Sequence, residues 1–275
     1  MQEIRIIALD LDGTLLNSHK KLTEENRRCL EMAKGRGVQI VPATGRFWLG
    51  IPEEIRQLAE YAITINGARA HHAPTGRELY EACIPWAQAV EIMAYLDTLP
   101  VIYDCYMNNT GWMSAGMKEH IDTYAPDAHI GRMLHELRHP VPELKAFLAQ
   151  QKQDVQKMQF FTLDPQLRLR LLQELPRRWP ETAVSSALVN NVEINHARAT
   201  KGAALEALAH ALGCGREDVM AFGDGLNDMD MLRWAGVGVA MGNAFDGVKD
   251  AADYVTEDCD HDGVAAALKR FGLAE

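Results

Sequence analysis

Two aspartates near the amino terminus have the spacing of a paired-carboxylate catalytic site. Asp10 and Asp12 flank Leu11, and Gly13 and Thr14 follow them directly. Side chains two residues apart point the same way on an extended backbone. One carboxylate could therefore attack an electrophile while the other transfers protons. Gly13 would permit a tight loop that Thr14 holds by local hydrogen bonding, so the segment predicts a catalytic loop more than an ordinary Asp/Gly-rich turn.

Other polar residues with useful chemistry also stand at the ends of predicted strands. Thr44, Asn66 and Asp224 come at such ends, as Asp10 and Asp12 do. Ligands of an open parallel sheet bind beyond the carboxyl ends of its strands. One edge of one sheet would therefore gather three carboxylates, a hydroxyl and an amide.

Three clustered carboxylates repel one another unless a positive charge neutralises them. A hard divalent cation with oxygen ligands is the economical answer, and Mg²⁺ typically combines a few carboxylates with water and substrate phosphate. With such an ion in place, a carboxylate can attack a phosphoryl group, which gives an aspartyl-phosphate intermediate. The acidic set therefore predicts a Mg²⁺-dependent phosphoryl-transfer site.

The elements that must position these residues alternate between strand and helix at both ends of the chain. Apolar segments rich in β-branched residues predict core strands at residues 4–9, 38–43, 62–65, 219–222 and 237–241. Strands separated by helices are typical of a parallel sheet with right-handed crossovers. The fold class expected is α/β, with a Rossmann-like parallel core.

The middle of the chain has a different pattern of shorter and more polar strands. Strands are predicted there at residues 101–107, 158–163 and 183–189. This mixture favours a separate α+β unit inserted into the first domain. The predicted domains are a core formed by residues 1–84 and 191–275, and an insertion formed by residues 85–190.

Composition excludes several classes of partner. The 275 residues carry a formal net charge of -10, so nucleic acid and anionic membranes are not expected partners. No apolar stretch is long enough to span a bilayer, and the five cysteines lack metal-ligand spacing. We expect a cytoplasmic protein with reduced thiols and a small-molecule substrate; the sequence does not predict the oligomeric state.

Four segments resemble, in the expected order, the motifs of the haloacid dehalogenase superfamily of phosphatases. Residues 10–14 (DLDGT) resemble motif I and residues 44–46 (TGR) resemble motif II. Residues 200–202 (TKG) resemble motif III, and residues 223–228 (GDGLND) resemble motif IV. Shorter segments resemble the Cof-like sugar-phosphatase branch of that superfamily: residues 66–68, 241–244 and 262–264.

The resemblance implies roles for the acidic residues. Asp10 would be the nucleophile, and Asp12 would protonate the leaving group and later activate water. Asp10, the backbone carbonyl of Asp12 and Asp224 would hold Mg²⁺. Asp228 would lie beside the metal or one layer behind it.

The resemblance also implies a group of residues that bind the phosphoryl oxygens. These residues are Thr44, Gly45, Lys201 and Asn227. Thr44 and Lys201 would belong to the catalytic set, although a lysine alone at a helix start is commonly a surface residue. Arg46 and Asn66 are predicted substrate contacts; the alternatives are a solvated surface arginine and an asparagine that supports a turn.

In the resembled branch the insertion is a large α/β cap that excludes water and recognises the leaving group. Its candidate substrate contacts are Tyr106, Asn108, His129 and Arg132, although surface placement is the more common role of such residues. Residues 195–200 are more polar than the pattern common in this branch, which leaves the local substrate contacts open.

Hydrolysis of a small phosphorylated metabolite, best a sugar phosphate, is the leading hypothesis. A hexose phosphomutase and a non-catalytic protein that binds phosphorylated metabolites are the alternatives. A two-carboxylate glycosidase would also use paired acids. It gives no reason for the threonine, the lysine and the GDGLND segment.

Overall fold

The computed structural model describes residues 4–125, 127–186 and 188–275, and these form two compact units. The core unit comprises Met1–Glu81 and Ala199–Glu275, and the inserted unit comprises Ala82–Arg198. The second boundary predicted from the sequence lies earlier, before residue 191. The difference arises because the strand Asn191–His196 pairs with the strand Lys157–Thr162 of the inserted unit.

The first segment of the core unit begins with a strand–helix–strand–helix order and ends in a short meander. In chain order its elements are β1 (Ile6–Leu9), α1 (Glu24–Gly35), β2 (Gln39–Pro42), α2 (Glu53–Leu58), β3 (Tyr61–Thr64), β4 (Arg69–His72) and β5 (Arg77–Glu81). Short 3₁₀-helices lie at Trp48–Gly50 and Ile65–Gly67.

The inserted unit is a mixed sheet with helices. In chain order its elements are α3 (Trp86–Leu96), β6 (Val101–Met107), β7 (Thr110–Ser114), α4 (Ala115–Lys118), α5 (Ile121–Tyr124), α6 (Ala128–Leu137), β8 (Arg138–Val141), α7 (Leu144–Gln151), β9 (Lys157–Thr162), α8 (Pro165–Arg178), β10 (Thr182–Ser185) and β11 (Asn191–His196). The sheet order is β10-β11-β9-β6-β7-β8. The strand predicted at 183–189 is shorter than expected, and residue 187 within it lies outside the described residues.

The second segment of the core unit restores the alternation of strand and helix. Its elements are α9 (Lys201–Ala211), β12 (Val219–Gly223), α10 (Met229–Trp234), β13 (Val237–Ala240), α11 (Asp246–Lys249), β14 (Tyr254–Val255) and α12 (Gly263–Arg270), with 3₁₀-helices at Arg216–Asp218 and Leu226–Asp228. Across the described ranges, none of these helices combines the length and apolar character needed to cross a membrane.

Five parallel strands form the main sheet of the core unit, in the order β14-β13-β12-β1-β2. β1 lies between β12 and β2, and all four of its residues are buried. Ile7 and Leu9 pack into one apolar layer, whereas Ile6 and Ala8 pack into the other. A strand that is buried on both faces needs a continuous apolar run, which explains the IIAL sequence. The predicted α/β fold with a parallel core is confirmed.

The prediction that the third strand joins the parallel sheet is wrong. β3 pairs with β4, and β4 with β5, in a separate antiparallel three-stranded sheet. A single parallel bridge from Ala43 to Ile63 links β3 to the end of β2. The tight turn at Ile65–Gly67 returns the chain directly as β4, so β3 takes β4 as its antiparallel neighbour.

Candidate active site

The sheet order brings the three predicted motif strands side by side. Asp10 follows β1, Thr44 lies just beyond β2, and Asp224 follows β12. Backbone pairing with β12 continues past the end of β1, where the amide of Asp10 donates to Phe222 O at 3.0 Å. Parallel neighbours end at the same sheet edge, so these side chains meet beyond the carboxyl ends of β12, β1 and β2.

Lys201 joins two carboxylates at the centre of this edge. Its Nζ lies 2.6 Å from Asp10 Oδ1 and 2.6 Å from Asp228 Oδ1, and its side chain is fully buried. Lys201 is the first residue of α9, and Thr200 caps that helix by accepting a hydrogen bond from Ala203 N. The predicted motif III lysine is therefore a buried residue of the site and not a surface residue.

Asp10, Asp224 and Asp228 each offer a carboxylate oxygen, and these three oxygens lie within 4.8 Å of one another. We call these three residues, with Lys201, the carboxylate cluster. Asp228 is held firmly, since its Oδ2 accepts the backbone amides of Asp224 at 3.0 Å and Gly225 at 2.9 Å. The cluster has three acidic groups and one lysine.

The charge imbalance affects the titration of the cluster. Burial, opposed by Lys201 and reinforced by Asp228, raises the pKa of Asp10 from 3.8 to about 7. Burial and the charge of Asp228 also raise the pKa of Asp224. Burial disfavours the charged lysine, but the charges of Asp10 and Asp228 prevail and raise the pKa of Lys201. The single lysine does not neutralise all three carboxylates, and their oxygens suit a hard divalent cation.

Residues around Asp224 hold it in place, and one of them has no role in the sequence prediction. Thr14 Oγ1 donates to Asp224 Oδ1 at 3.1 Å. Asn243 Nδ2 donates to Gly13 O at 2.8 Å and approaches Asp224 Oδ2 at 3.4 Å. Gly13 has φ +92°, and a Cβ there would overlap the Asp224 carboxylate. Asn243 lies in the segment 241–244 that resembles the Cof-like branch, and this resemblance could have indicated a role for it.

Asp12 lies outside the carboxylate cluster and has its own cationic partners. Arg46 donates from Nε to Asp12 Oδ2 at 2.8 Å and from Nη2 to Oδ1 at 2.7 Å. Lys20 Nζ lies 2.9 Å from Oδ1. Burial favours a higher pKa of Asp12, but these hydrogen bonds and charges together lower it. The metal contact expected of the Asp12 backbone carbonyl stays a prediction.

The predicted phosphate-binding residues are linked through one turn. The amide of Asn66 donates to Thr44 O at 3.1 Å, and Asn227 Nδ2 approaches Asn66 Oδ1 at 3.5 Å. Gly45 lies so close to Asn66 that a Cβ on it would be 2.7 Å from Oδ1. The structure therefore brings Thr44, Gly45 and Asn227 together around Asn66.

This turn has an unusual backbone conformation. Ile65, Asn66 and Gly67 all have positive φ, at 55°, 57° and 89°. A β-branched residue in this region is an outlier. A Cβ on Gly67 would overlap the backbone carbonyl of Thr200, so the turn packs closely against the residue that precedes Lys201.

The polar candidates of the inserted unit have different surroundings. Tyr106 is buried, and its hydroxyl accepts a hydrogen bond from Arg138 Nη2 at 2.6 Å. Asn108 Nδ2 donates to Gln153 Oε1 at 2.6 Å. Arg132 is exposed on α6, and the side chain of His129 lies outside the described part of the chain. No substrate role of these four residues is tested by this geometry.

A second group of buried charges lies in the sheet of the inserted unit. Arg138 Nε is 3.1 Å from Asp104 Oδ1, a distance typical of an ion pair although the angle falls short of a hydrogen bond. Lys157 Nζ is 2.9 Å from Glu193 Oε1. Both cations also approach the Tyr106 ring, whose centroid is 4.5 Å from the Arg138 guanidinium carbon and 5.1 Å from Lys157 Nζ. We call Asp104, Arg138, Lys157 and Glu193 the paired cluster.

Comparison with known proteins assigns the family. Residues 7–268 match the family model described as haloacid dehalogenase-like hydrolase. The chain is 31% identical to 5-amino-6-(5-phospho-D-ribitylamino)uracil phosphatase YcsE of Bacillus subtilis, over 98% of this chain and 97% of that protein. It is 32% identical to HMP-PP phosphatase of Cronobacter sakazakii, over 87% of this chain and 85% of that protein.

A solved structure agrees with these relatives. A haloacid dehalogenase-like hydrolase from Bacteroides thetaiotaomicron superposes with a TM-score of 0.84 and 29% identity, over 98% of this chain and all of that one. The sequence motifs, the sheet-edge site and the relatives agree. The chain belongs to the haloacid dehalogenase-like hydrolase family, and it is a phosphatase that acts on small phosphorylated metabolites.

Proposed function

We propose that this phosphatase hydrolyses a sugar phosphate in a Mg²⁺-dependent reaction through an aspartyl-phosphate on Asp10. The observation that carries the proposal is the bridge of Lys201 between Asp10 and Asp228, with Asp224 in the same cluster. A nucleophilic carboxylate, a buried cation and a set of metal-binding oxygens are what phosphoryl transfer requires, since positioning and neutralisation of charge supply most of the catalysis.

The residues fit a divalent cation because one lysine leaves the three carboxylates short of positive charge. Asp10, Asp224 and the backbone carbonyl of Asp12 would hold Mg²⁺, with Asp228 beside them. The bound ion would neutralise the carboxylates and the phosphoryl oxygens. Both Asp228 oxygens already accept protein donors, so Asp228 would mainly orient Lys201 and the Asp224 loop.

In the first half-reaction, the carboxylate of Asp10 attacks phosphorus and the bond from phosphorus to the leaving oxygen breaks. Asp12 donates a proton to that oxygen, which leaves as an alcohol. Lys201, Thr44 and Asn227 would bind the phosphoryl oxygens during the transfer. In the second half-reaction, water attacks phosphorus, the bond to Asp10 breaks, and Asp12 accepts the proton from water.

The name of one relative supports the proposed substrate class. The YcsE relative is named for a compound that carries its phosphate on a ribityl group, which is a polyhydroxylated chain. A sugar phosphate presents a similar group to the site. We also propose a cytoplasmic location, which agrees with the acidic composition and with five free cysteines.

The test is phosphate release from a panel of sugar phosphates, nucleotides, pyridoxal phosphate and an aryl phosphate, with Mg²⁺ and with EDTA. We expect Mg²⁺-dependent release that falls at least about 10⁴-fold in Asp10→Asn. Asp250→Asn, a substitution of an exposed aspartate in the core unit, serves as the matched control and should behave like the native protein.

Four outcomes would contradict the proposal. Release that persists in Asp10→Asn would exclude this nucleophile, and release that is unaffected by EDTA would exclude the metal requirement. Interconversion of hexose 1- and 6-phosphates without release of phosphate would support the phosphomutase alternative. A folded protein that binds sugar phosphates and releases nothing from any panel member would support the non-catalytic binding protein.

A further inference from the structure

The side chain of Arg46 is fixed by three hydrogen bonds. Nε and Nη2 donate to the two oxygens of Asp12, and Nη1 donates to the backbone carbonyl of Gly50 at 3.0 Å. A guanidinium that bonds both oxygens of a carboxylate fixes its orientation as well as its charge. Arg46 therefore holds Asp12 in one position and does not extend freely towards a substrate.

The two oxygens of Asp12 differ in the number of donors they meet. A carboxylate oxygen can accept about two hydrogen bonds. Oδ1 has Arg46 Nη2 at 2.7 Å and Lys20 Nζ at 2.9 Å, which fill it. Oδ2 has Arg46 Nε at 2.8 Å among the contacts of the described residues. Oδ2 is thus the oxygen with room for one further donor.

We propose that Arg46 is a positioning residue that aims Asp12 Oδ2 at the water that hydrolyses the aspartyl-phosphate. The inference rests on the proposed function, because it concerns the second half-reaction of that mechanism. The water oxygen bonds to phosphorus, and the bond from phosphorus to Asp10 breaks with its electron pair left on the Asp10 carboxylate. The water proton passes to Asp12 Oδ2, so the products are inorganic phosphate and a protonated Asp12.

Lys20 is an auxiliary partner of Asp12. Its side chain is 60% exposed, whereas that of Arg46 is 30% exposed. An exposed lysine contributes little through charge alone and does not fix a plane. Orientation of Asp12 therefore comes from Arg46, and this difference provides an internal control.

The experiment uses p-nitrophenyl phosphate with the full-length protein and Mg²⁺ in a rapid-mixing instrument. Nitrophenolate leaves without needing a proton, so the first half-reaction does not depend on Asp12. In Arg46→Gln we expect a burst of about one nitrophenolate per active site, followed by steady turnover about 100-fold slower than native. The burst amplitude counts folded, reactive sites, so misfolding cannot imitate this result.

Two further variants separate orientation from charge. Arg46→Lys keeps the positive charge but cannot bond both oxygens, so its steady rate should be close to that of Arg46→Gln. Lys20→Gln removes a charge but leaves the two hydrogen bonds from Arg46 to Asp12, so its steady rate should fall by no more than about threefold. Asp12→Asn should reproduce the burst and slow phase of Arg46→Gln.

Native steady turnover in Arg46→Gln or Arg46→Lys would overturn the inference, as would an equal slowing of burst and steady phases. Acid quenching with labelled phosphate distinguishes this failure from failure of the proposed function. A phosphoenzyme that forms in the native protein and is lost in Asp10→Asn keeps the proposed function intact. Absence of any phosphoenzyme in the native protein overturns both proposals.

Discussion

Each of the two units buries a group of charged side chains, and the groups are neutralised differently. In the core unit, the carboxylate cluster has three aspartates, and Lys201 is the one cation that forms ion pairs with them among the described residues. In the inserted unit, the paired cluster matches each carboxylate with its own cation, as Arg138 with Asp104 and Lys157 with Glu193. All four residues of the paired cluster are buried, as are Asp10, Asp228 and Lys201, whereas Asp224 is half-buried.

Burial of charge is unfavourable, and the way it is balanced indicates what a group is for. A matched ion pair satisfies itself and needs no ligand, although it is weak evidence for stability. Three carboxylates around one lysine remain short of positive charge, and a bound cation would supply it. Burial raises the pKa of Asp10, and the charges of Asp228 and Asp224 add to that rise while Lys201 opposes it. The difference separates the candidate active site from a self-contained structural network.

The largest effect expected concerns the buried lysine of each group. Lys201→Met should lower turnover by about 10³-fold, because in the proposed mechanism this cation stabilises the transferring phosphoryl group. Lys157→Met is the matched control, since Lys157 is also buried and paired with carboxylate. That variant should lose stability, while folded molecules turn over p-nitrophenyl phosphate at nearly the native rate. Equal losses of turnover in the two variants would remove the distinction between the groups.

The next effect is a loss of stability in the inserted unit. Arg138→Met leaves the fully buried Asp104 carboxylate without its cation, which should lower the free energy of unfolding by about 3–5 kcal/mol. Replacing both partners, in Arg138→Met with Asp104→Leu, should recover most of this loss because no unpaired charge remains. Urea unfolding followed by circular dichroism measures both. A double variant no more stable than Arg138→Met would show that the ion pair is not the cause.

The contrast between the groups also explains which parts were predictable from the sequence. Asp10 and Asp224 could be assigned because each follows an apolar strand, and parallel neighbours bring such positions to one edge. The partner of Asp12 could not be assigned, since Arg46 is 34 residues away and only the folded loop shows the contact. The position of Arg46 after Thr44 predicts a substrate contact, whereas in the structure Arg46 donates to both oxygens of Asp12.

The paired cluster was beyond sequence reasoning for a different reason. β9 alternates polar and apolar residues at its start, which predicts one solvent-exposed face. All six of its residues are buried in the structure. The partners come from β6, β8, β9 and β11, whose sheet order differs from their chain order. The prediction for β3 was wrong for a similar reason, because the sequence of a short apolar strand does not indicate which strand it will pair with.

A smaller effect is expected when metal is added. Mg²⁺ at about 100 times its dissociation constant should stabilise the native protein by about 2.7 kcal/mol relative to EDTA. Asp224→Asn should lose most of this increment, because Asp224 is one of the proposed metal ligands. Glu193→Gln should retain the increment from a lower starting stability. Thermal unfolding with and without Mg²⁺ measures this, and an equal increment in Asp224→Asn would place the metal elsewhere.

The smallest effect concerns the turn Ile65–Gly67 beside the carboxylate cluster. The residues of the paired cluster, by contrast, all lie in regular strands. Asn66 has φ +57°, a conformation that alanine adopts at a cost of about 1 kcal/mol and glycine adopts freely. Asn66→Ala should therefore unfold more readily than Asn66→Gly by about that amount. If the side-chain amide of Asn66 binds substrate, both variants should raise KM equally. If Asn66 only supports the turn, Asn66→Gly should keep the native KM and Asn66→Ala should not.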